Sequence, residues 1–186
     1  YISSLPGILL SKGFPAASVD SVKYDSTFAV AQLYLGEQFK WVEINTDSID
    51  TRALEATGWT AKQSRSNKLD FTRLQLQEEK IINYYENIGY PFAQVSLDSI
   101  QFSGDKIKAS LAVNKGPTYR IDSIKVVGNA KIKNLFLQHY LGISNGILYD
   151  NGKLKQVSNR IKELPYVQEQ QPWDISMLGS GSVLNL

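Results

Sequence analysis

The chain has 186 residues, 42% of them hydrophobic and 20% charged, the balance of an ordinary folded protein. Twenty Lys and Arg against eighteen Asp and Glu leave a formal net charge of +2, which gives no electrostatic case for a nucleic-acid partner. Cysteine is absent, so disulfides, cysteine-based zinc sites and a thiol nucleophile are excluded, and no run nears the ~18 apolar residues of a helical membrane span.

The first element is a helix at about Ile2–Lys12, stopped by Gly13-Phe14-Pro15. The chain thus opens in a helix and closes at Leu186 in a strand, with neither an initiator Met nor a signal peptide, and is expected to be a fragment. A hairpin follows the helix. Its first strand alternates as Ala17 and Val19, then in the opposite phase as Val22 and Tyr24. A two-residue alternation changes phase only by taking in an extra residue, so a bulge or bend is expected at Asp20-Ser21.

Residues 39–47, with Phe39, Trp41 and Ile44, read as a strand. A short helix at Thr51–Thr57 ends at Gly58, and the polar residues 60–68 read as a loop. Asp70 is placed to N-cap a helix at 71–88 by accepting free N–H groups of its first turn. Leu74, Ile81, Tyr85 and Ile88 share one face of that helix, with Glu78, Glu79 and Lys80 mostly off it. Gly89 ends it in a left-handed conformation and Pro91 blocks continuation. The strand Phe92–Phe102 repeats the earlier phase change, from Ala93, Val95 and Leu97 to Ile100 and Phe102, so a second bulge is expected at Asp98-Ser99. Ser103-Gly104-Asp105 is a hairpin turn, and Ile107, Ala109, Leu111 and Val113 mark the return strand at 106–114.

The next strand is Tyr119–Val127. Gly128-Asn129 then turns into a helix near 131–141 that carries Ile132, Leu135, Phe136 and Tyr140. A second helix at 151–164 has Leu154, Val157, Ile161 and Leu164. A strand near Val167–Met177, a turn at Gly179-Ser180-Gly181 and a strand Val183–Leu186 complete the chain.

These elements repeat. Gly13-Phe14-Pro15-Ala16-Ala17-Ser18-Val19 returns as Gly89-Tyr90-Pro91-Phe92-Ala93-Gln94-Val95, an offset of 76. Asp20-Ser21-Val22 returns as Asp98-Ser99-Ile100 at 78, and Gly36 to Trp41 as Gly116 to Ile121 at 80. Leu69-Asp70 matches Tyr149-Asp150 at 80, and Tyr90 matches Tyr166 at 76. The drift is that of a true repeat with small insertions at turns. The expected fold class is α+β: tandem βααββ modules, each a three-stranded mixed sheet covered by two helices. The expected boundaries are a partial module at 1–38 (last helix and closing hairpin), a complete one at 39–117, and one at 118–186 cut in or near its last strand. Modules joined at about Gln38 and Pro117 have almost no linker.

The βααββ order, the segment Tyr119-Arg120-Ile121-Asp122-Ser123-Ile124-Lys125-Val126-Val127-Gly128-Asn129, the later Tyr149-Asp150 and the passage Ile88-Gly89-Tyr90-Pro91-Phe92-Ala93-Gln94-Val95 resemble POTRA domains of the BamA/TamA outer-membrane protein assembly superfamily. The resemblance spans essentially the whole chain. It implies the periplasmic portion of a Gram-negative outer-membrane protein, ahead of a β-barrel. Cysteine-free composition suits that oxidising compartment. It also implies a scaffold that binds unfolded or nascent outer-membrane proteins, accessory proteins or lipoproteins, by adding a strand to a sheet edge. The edge expected to take that strand is Phe92, Ala93, Gln94, Val95, Ser96 and Leu97. The alternatives are the POTRA arm of a two-partner secretion transporter and an envelope or cell-division scaffold.

Residues that could carry chemistry read as structural. His139, the single histidine, sits in an amphipathic helix without a partner nucleophile, and no spacing of His, Asp and Glu suggests a metal. The pairs Asp20-Ser21, Asp47-Ser48, Asp98-Ser99 and Asp122-Ser123 read as polar residues at strand bends and turns that bond local backbone. Gly179-Ser180-Gly181 lacks the surroundings of a phosphate loop. Trp41 is expected in the core, with Trp59 and Trp173 left open. No catalytic residue, metal or cofactor is expected.

Overall fold

The computed structural model describes residues 2–60, 67–68, 70–179 and 181–186. They form two compact units, Tyr1–Ile81 with Val95–Val113, and Ile82–Gln94 with Asn114–Leu186.

In the first unit a 3-10 turn at Ile2–Ser4 leads into helix α1, Leu5–Ser11. Strands β1 (Ser18–Tyr24) and β2 (Ala29–Tyr34) then pair antiparallel. Their register slips between Val19 and Ser21, so that Val19 faces Leu33 and Val22 faces Ala31. Leu33 and Ala31 lie two apart and share a face, so the extra residue Asp20 returns Val19 and Val22 to one face. This is the bulge that the phase change at Asp20-Ser21 required.

The unit continues with β3 (Trp41–Asn45), helix α2 (Thr51–Thr57), β4 (Asn67–Lys68), helix α3 (Phe71–Glu86, in this unit as far as Ile81), β5 (Gln94–Ser103, in this unit from Val95) and β6 (Lys106–Asn114, in this unit as far as Val113). Among the described residues the sheet order is β4-β3-β6-β5. Strands β3 and β6 run parallel, from Trp41 opposite Lys106 to Asn45 opposite Ser110. Ile44, Ala53, Ile107, Ala109 and Leu111 are buried, each large side chain contributing roughly 1.5–3 kcal/mol by leaving water. Gly58 ends α2 at φ 71°, a left-handed cap. Asp70 caps α3 as expected, its Oδ1 accepting from Arg73 N–H at 3.0 Å.

Three expectations here need correcting. Trp41 is 41% exposed: β3 turns Val42 and Ile44 inward, so the odd-numbered Trp41 faces out. Ile88 is exposed because α3 stops at Glu86 and helical spacing no longer applies beyond it. Of the expected loop 60–68, residues 61–66 lie outside the described set, and Asn67-Lys68 instead add a two-residue strand to β3. Leu69, matched above to Tyr149, also lies outside it.

The second unit begins with the end of α3 and the turn after it. It continues with β7 (Arg120–Lys125), α4 (Asn134–Leu141), β8 (Ile147–Leu148), α5 (Asn151–Lys155), α6 (Val157–Lys162), β9 (Asp174–Leu178) and β10 (Gly181–Asn185). Among the described residues its sheet order is β8-β7-β10-β9, with β7 and β10 parallel, the same arrangement as in the first unit. The core is Ile121, Ile124, Leu137, Leu141, Ile143, Leu154, Val157, Ile161 and Leu184.

Of the apolar residues expected on this helix, Ile132 and Tyr140 pack partly buried against the core, but Leu135 and Phe136 do not. Leu135 is 64% and Phe136 48% exposed, whereas Leu137 and Leu141 are buried. The helix starts at Asn134, and Leu137 and Leu141, one turn apart, are the pair that faces the sheet. The expected helix 151–164 is broken at Gln156 into α5 and α6, although Leu154, Val157 and Ile161 stay on the buried side. The strand expected from Val167 starts only at Asp174, just after Pro172. Ser180 of the expected turn lies outside the described residues, but β9 and β10 pair antiparallel on either side of it.

Each unit contains one joint between successive repeats, and both use the same backbone bond. Phe39 N–H donates to Gly13 O at 2.8 Å, and Tyr119 N–H donates to Gly89 O at 2.8 Å. Those positions are 76 and 80 apart, the offsets read from the sequence. Gly13 and Gly89 have φ of 91° and 105°, conformations that favour glycine. Around the second bond, Phe92 meets Tyr119 edge-on at 5.3 Å. Gly152 N–H donates to Asn87 Oδ1 at 2.8 Å, and Asn151 Nδ2 donates to the Glu86 carboxylate. Burial, reinforced by the Glu86 charge, pushes the Tyr149 phenol above its ordinary value.

Candidate functional site

Order within the sheet decides which strand is available. The first and last strands of a repeat pair parallel in the middle, so the strand between them in sequence is displaced to the edge. In the first unit that strand is β5, and among the described residues it has a neighbour, β6, on one side alone. An edge strand keeps a row of N–H and C=O groups outside the ladder.

The six residues expected to form the edge do not all lie in it. Phe92 and Ala93 fall in the turn before the strand, where Ala93 is buried and its N–H donates to Tyr90 O at 3.2 Å. Gln94, Val95, Ser96 and Leu97 are in β5, with Gln94 and Ser96 exposed and Val95 and Leu97 half-buried. The strand therefore offers polar and apolar side chains alternately. Further along, Ile100 and Phe102 are exposed, and the Phe102 ring rests against Phe39 at 5.1 Å. They lie beyond Ser99, whose φ of 53° makes it the single non-glycine residue with positive φ among those described. Its N–H is held by Asp98 Oδ1 at 2.6 Å. A left-handed residue kinks the strand where the sequence alternation had required a bulge.

The other Asp-Ser pairs are structural as well. Asp122 is the extra residue in the β7–β10 register, between Ile121 opposite Ser182 and Ser123 opposite Val183. Ser48 Oγ donates to Leu111 O at 2.9 Å from a turn after β3. His139 is exposed on α4. Trp59 is buried, and Trp173 packs partly buried on the second core. Among the described residues no group of three or more His, Cys, Asp or Glu is placed to hold a metal, and no helix is long and apolar enough to cross a membrane.

No protein-family model matches the chain. The outer membrane protein assembly factor BamA of Nitratidesulfovibrio vulgaris is 22% identical over 180 residues, covering 90% of this chain and 22% of that protein. The chain thus spans about a fifth of that relative's length, the covered share being 22%. The crystal structure of POTRA domains 3–5 of Haemophilus influenzae BamA matches with a TM-score of 0.69 at 13% identity, over 100% of this chain and 78% of that one. That of Haemophilus ducreyi BamA lacking POTRA domains 1–3 gives 0.59 at 15% identity, over 79% of this chain and 28% of that one. The chain has the fold of those POTRA domains.

In the POTRA fold as it stands here, the mixed sheets are four strands wide among the described residues, because the two-residue β4 and β8 add to the expected three. Both short strands lie at the end opposite the hairpin. The POTRA edge at β5 and its counterpart β9 are thus left as the outer strands on the hairpin side.

Proposed function

We propose that the chain is a periplasmic scaffold of an outer-membrane β-barrel assembly factor in a Gram-negative cell. It binds unfolded outer-membrane proteins, accessory proteins or lipoproteins by strand addition at β5. The observation that carries this is the edge position of β5 together with its alternation of exposed Gln94 and Ser96 with half-buried Val95 and Leu97. Main-chain hydrogen bonds bind a strand with little regard to its sequence, and the half-buried side gives an amphipathic strand a place for its apolar residues. Sequence similarity to a protein named for outer membrane protein assembly supports the same reading. On it the protein is not an enzyme, and the tandem modules at 1–38, 39–117 and 118–186 serve as spacers that present edges.

Gln94→Pro and Val95→Pro each remove one backbone donor without adding charge, and outward-facing donors alternate along a strand. The proline that strikes an outward donor is expected to weaken binding of an extended β-peptide by about 2- to 10-fold, the worth of one net hydrogen bond. Gln94→Ala spares the backbone and is expected to bind normally. Titrations followed by NMR shift mapping decide it. Unchanged affinity in both folded proline variants, or shifts confined to the helices, would overturn strand addition at β5.

A further inference from the structure

The sequence holds two Asn-Gly pairs, Asn145-Gly146 and Asn151-Gly152. Such a pair is chemically labile, because a glycine has no side chain to obstruct its own backbone nitrogen. That nitrogen attacks the asparagine Cγ, the bond from Cγ to Nδ2 breaks, and ammonia leaves a cyclic succinimide. Water then opens the ring at either carbonyl, giving aspartate or isoaspartate. The net change is an –NH2 replaced by –OH, and the chain gains a negative charge.

At Asn151-Gly152 both reacting nitrogens are held. The attacking Gly152 N–H donates to Asn87 Oδ1 at 2.8 Å, and the departing Asn151 Nδ2 donates to the Glu86 carboxylate. Both acceptors belong to the joint at Gly89 and Tyr119. The same joint accounts for the glycine. Gly152 has no positive φ, but a Cβ there would stand 3.2 Å from Asp150 Oδ1, tighter than ordinary contact, and 3.4 Å from Asn87 Oδ1. Asn145 differs. It is exposed in a turn closed by Ile147 N–H to Ser144 O at 3.1 Å, and Gly146 N–H donates to Ile121 O of β7 at 2.7 Å, away from the joint.

We propose that Asn151-Gly152 is a deamidation site that this joint holds closed, and that reaction there holds the joint open. Separating α3 from α5 frees the nucleophile and the leaving group together. The aspartate or isoaspartate formed then sets a carboxylate against Glu86 where a donor stood, so a hydrogen bond becomes like-charge repulsion. Helix α5 is five residues long, and its end adds little positive potential to offset this. Its lysines are engaged elsewhere, Lys153 Nζ on Gly142 O at 3.3 Å and Lys155 Nζ on Asn83 Oδ1 at 3.5 Å. Isoaspartate also adds a methylene to the backbone at the first turn of α5, which carries Gly152 N–H away from Asn87. Ammonia is lost to solvent, so the joint keeps a record of having opened.

The test incubates the whole chain at mildly alkaline pH and follows both pairs by peptide mapping with mass spectrometry. In urea the two pairs are expected to react alike. In the folded chain Asn151 is expected to react at least about 10-fold more slowly than in urea, since it must wait for a local opening. Asn87→Ala is expected to speed Asn151 by about 2- to 5-fold and leave Asn145 unchanged, the worth of one net hydrogen bond. Ile161→Val thins the core of the same unit without touching the joint, and is expected to change neither rate. Folded Asn151 reacting as fast as unfolded overturns the proposal, and that comparison needs no variant. A rise at both pairs in Asn87→Ala, or at Asn151 in Ile161→Val, assigns exposure to general unfolding and overturns it too. Asn151→Asp carries the product from the start and is expected to speed amide exchange at Gly152 by about 2- to 5-fold. Adding Glu86→Gln is expected to restore the parent rate, because the glutamine amide donates to the new carboxylate. Unchanged exchange in Asn151→Asp shows the joint closing over its product and overturns the claim that reaction holds it open.

Discussion

The joint at Gly13 and Phe39 and the joint at Gly89 and Tyr119 share one backbone bond at one length, yet differ in what surrounds it. At the first, a Cβ on Gly13 would stand 2.2 Å from the Phe39 carbonyl oxygen, so backbone meets backbone. At the second, a Cβ on Gly89 would stand 3.1 Å from Leu148 Cδ2 and 3.2 Å from Thr118 Cγ2, the ends of side chains that can yield. The second joint adds side-chain bonds from Asn151 to Glu86 and from Gly152 to Asn87. The first has Gln38 Nε2 donating to Lys12 O at 3.2 Å. A repeated bond thus does not mean a repeated joint. One depends on the close approach of two backbones, the other on side chains gathered around the bond.

The largest effect is expected from glycine replacement. Gly13→Ala places a Cβ on an oxygen that cannot retreat without breaking the Phe39–Gly13 bond, on top of roughly 1–2 kcal/mol for a left-handed alanine. It is expected to lower the melting temperature by about 10 °C and to abolish exchange protection at the Phe39 amide. Gly89→Ala carries the backbone strain without the backbone collision, and is expected to cost about half as much and leave partial protection at the Tyr119 amide. The reverse order would break the comparison.

A smaller effect separates the joints by their side chains. Asn87→Ala leaves Gly152 N–H to water, since this amide lies at the first turn of α5. A loss of about 0.5–1 kcal/mol is expected, at the low end for a hydrogen bond that solvent can replace. Gln38→Ala at the first joint is expected to cost less, because its single bond is longer, 3.2 Å against 2.8 Å. Urea titrations of the two variants measure the difference, and equal losses would show that the extra bonds of the second joint contribute nothing.

Much of this architecture was legible in the sequence where the signal was local. The caps at Asp70 and Asp150, 80 residues apart, both accept from the N–H three residues on at 3.0 Å. The phase changes at Asp20 and at Asp98-Ser99 foretold a register slip and a left-handed residue because alternation leaves no other solution. Where the signal depended on neighbours, the reading failed. Trp41 has the composition of a core residue but the wrong parity in β3, and Leu137 was overlooked beside the bulkier Phe136. Both errors arise because hydrophobicity states how much a residue gains from burial and not which way its strand or helix is turned. The strand edge begins at Gln94, two residues after the alternation suggests, for a related reason. Phe92 and Ala93 continue the alternation of β5, yet they belong to the turn that follows α3.

The smallest effect concerns protons at the second joint. The Tyr149 phenol has its pKa raised above the ordinary tyrosine value, first by burial and then by the charge of Glu86. A raised folded-state value means that the folded chain holds this proton more tightly than the unfolded chain. The corresponding stability is complete below pH ~10 and is lost as pH rises from there through the folded value. Tyr149→Phe cannot ionise, so it is expected to match the parent in its alkaline decline up to about pH 9 and to decline less steeply above pH 10, where phenols titrate. Glu86→Gln in the parent background removes the smaller of the two causes and is expected to shift Tyr149 part of the way back toward 10. The readout is the difference between each variant's stability–pH curve and that of the parent, which cancels the titration of the other tyrosines. Parallel curves for Tyr149→Phe and the parent above pH 10 would mean that this phenol is as free in the folded chain as in the unfolded one. The second joint would then be more open to water than its bonds to Glu86 and Asn87 imply.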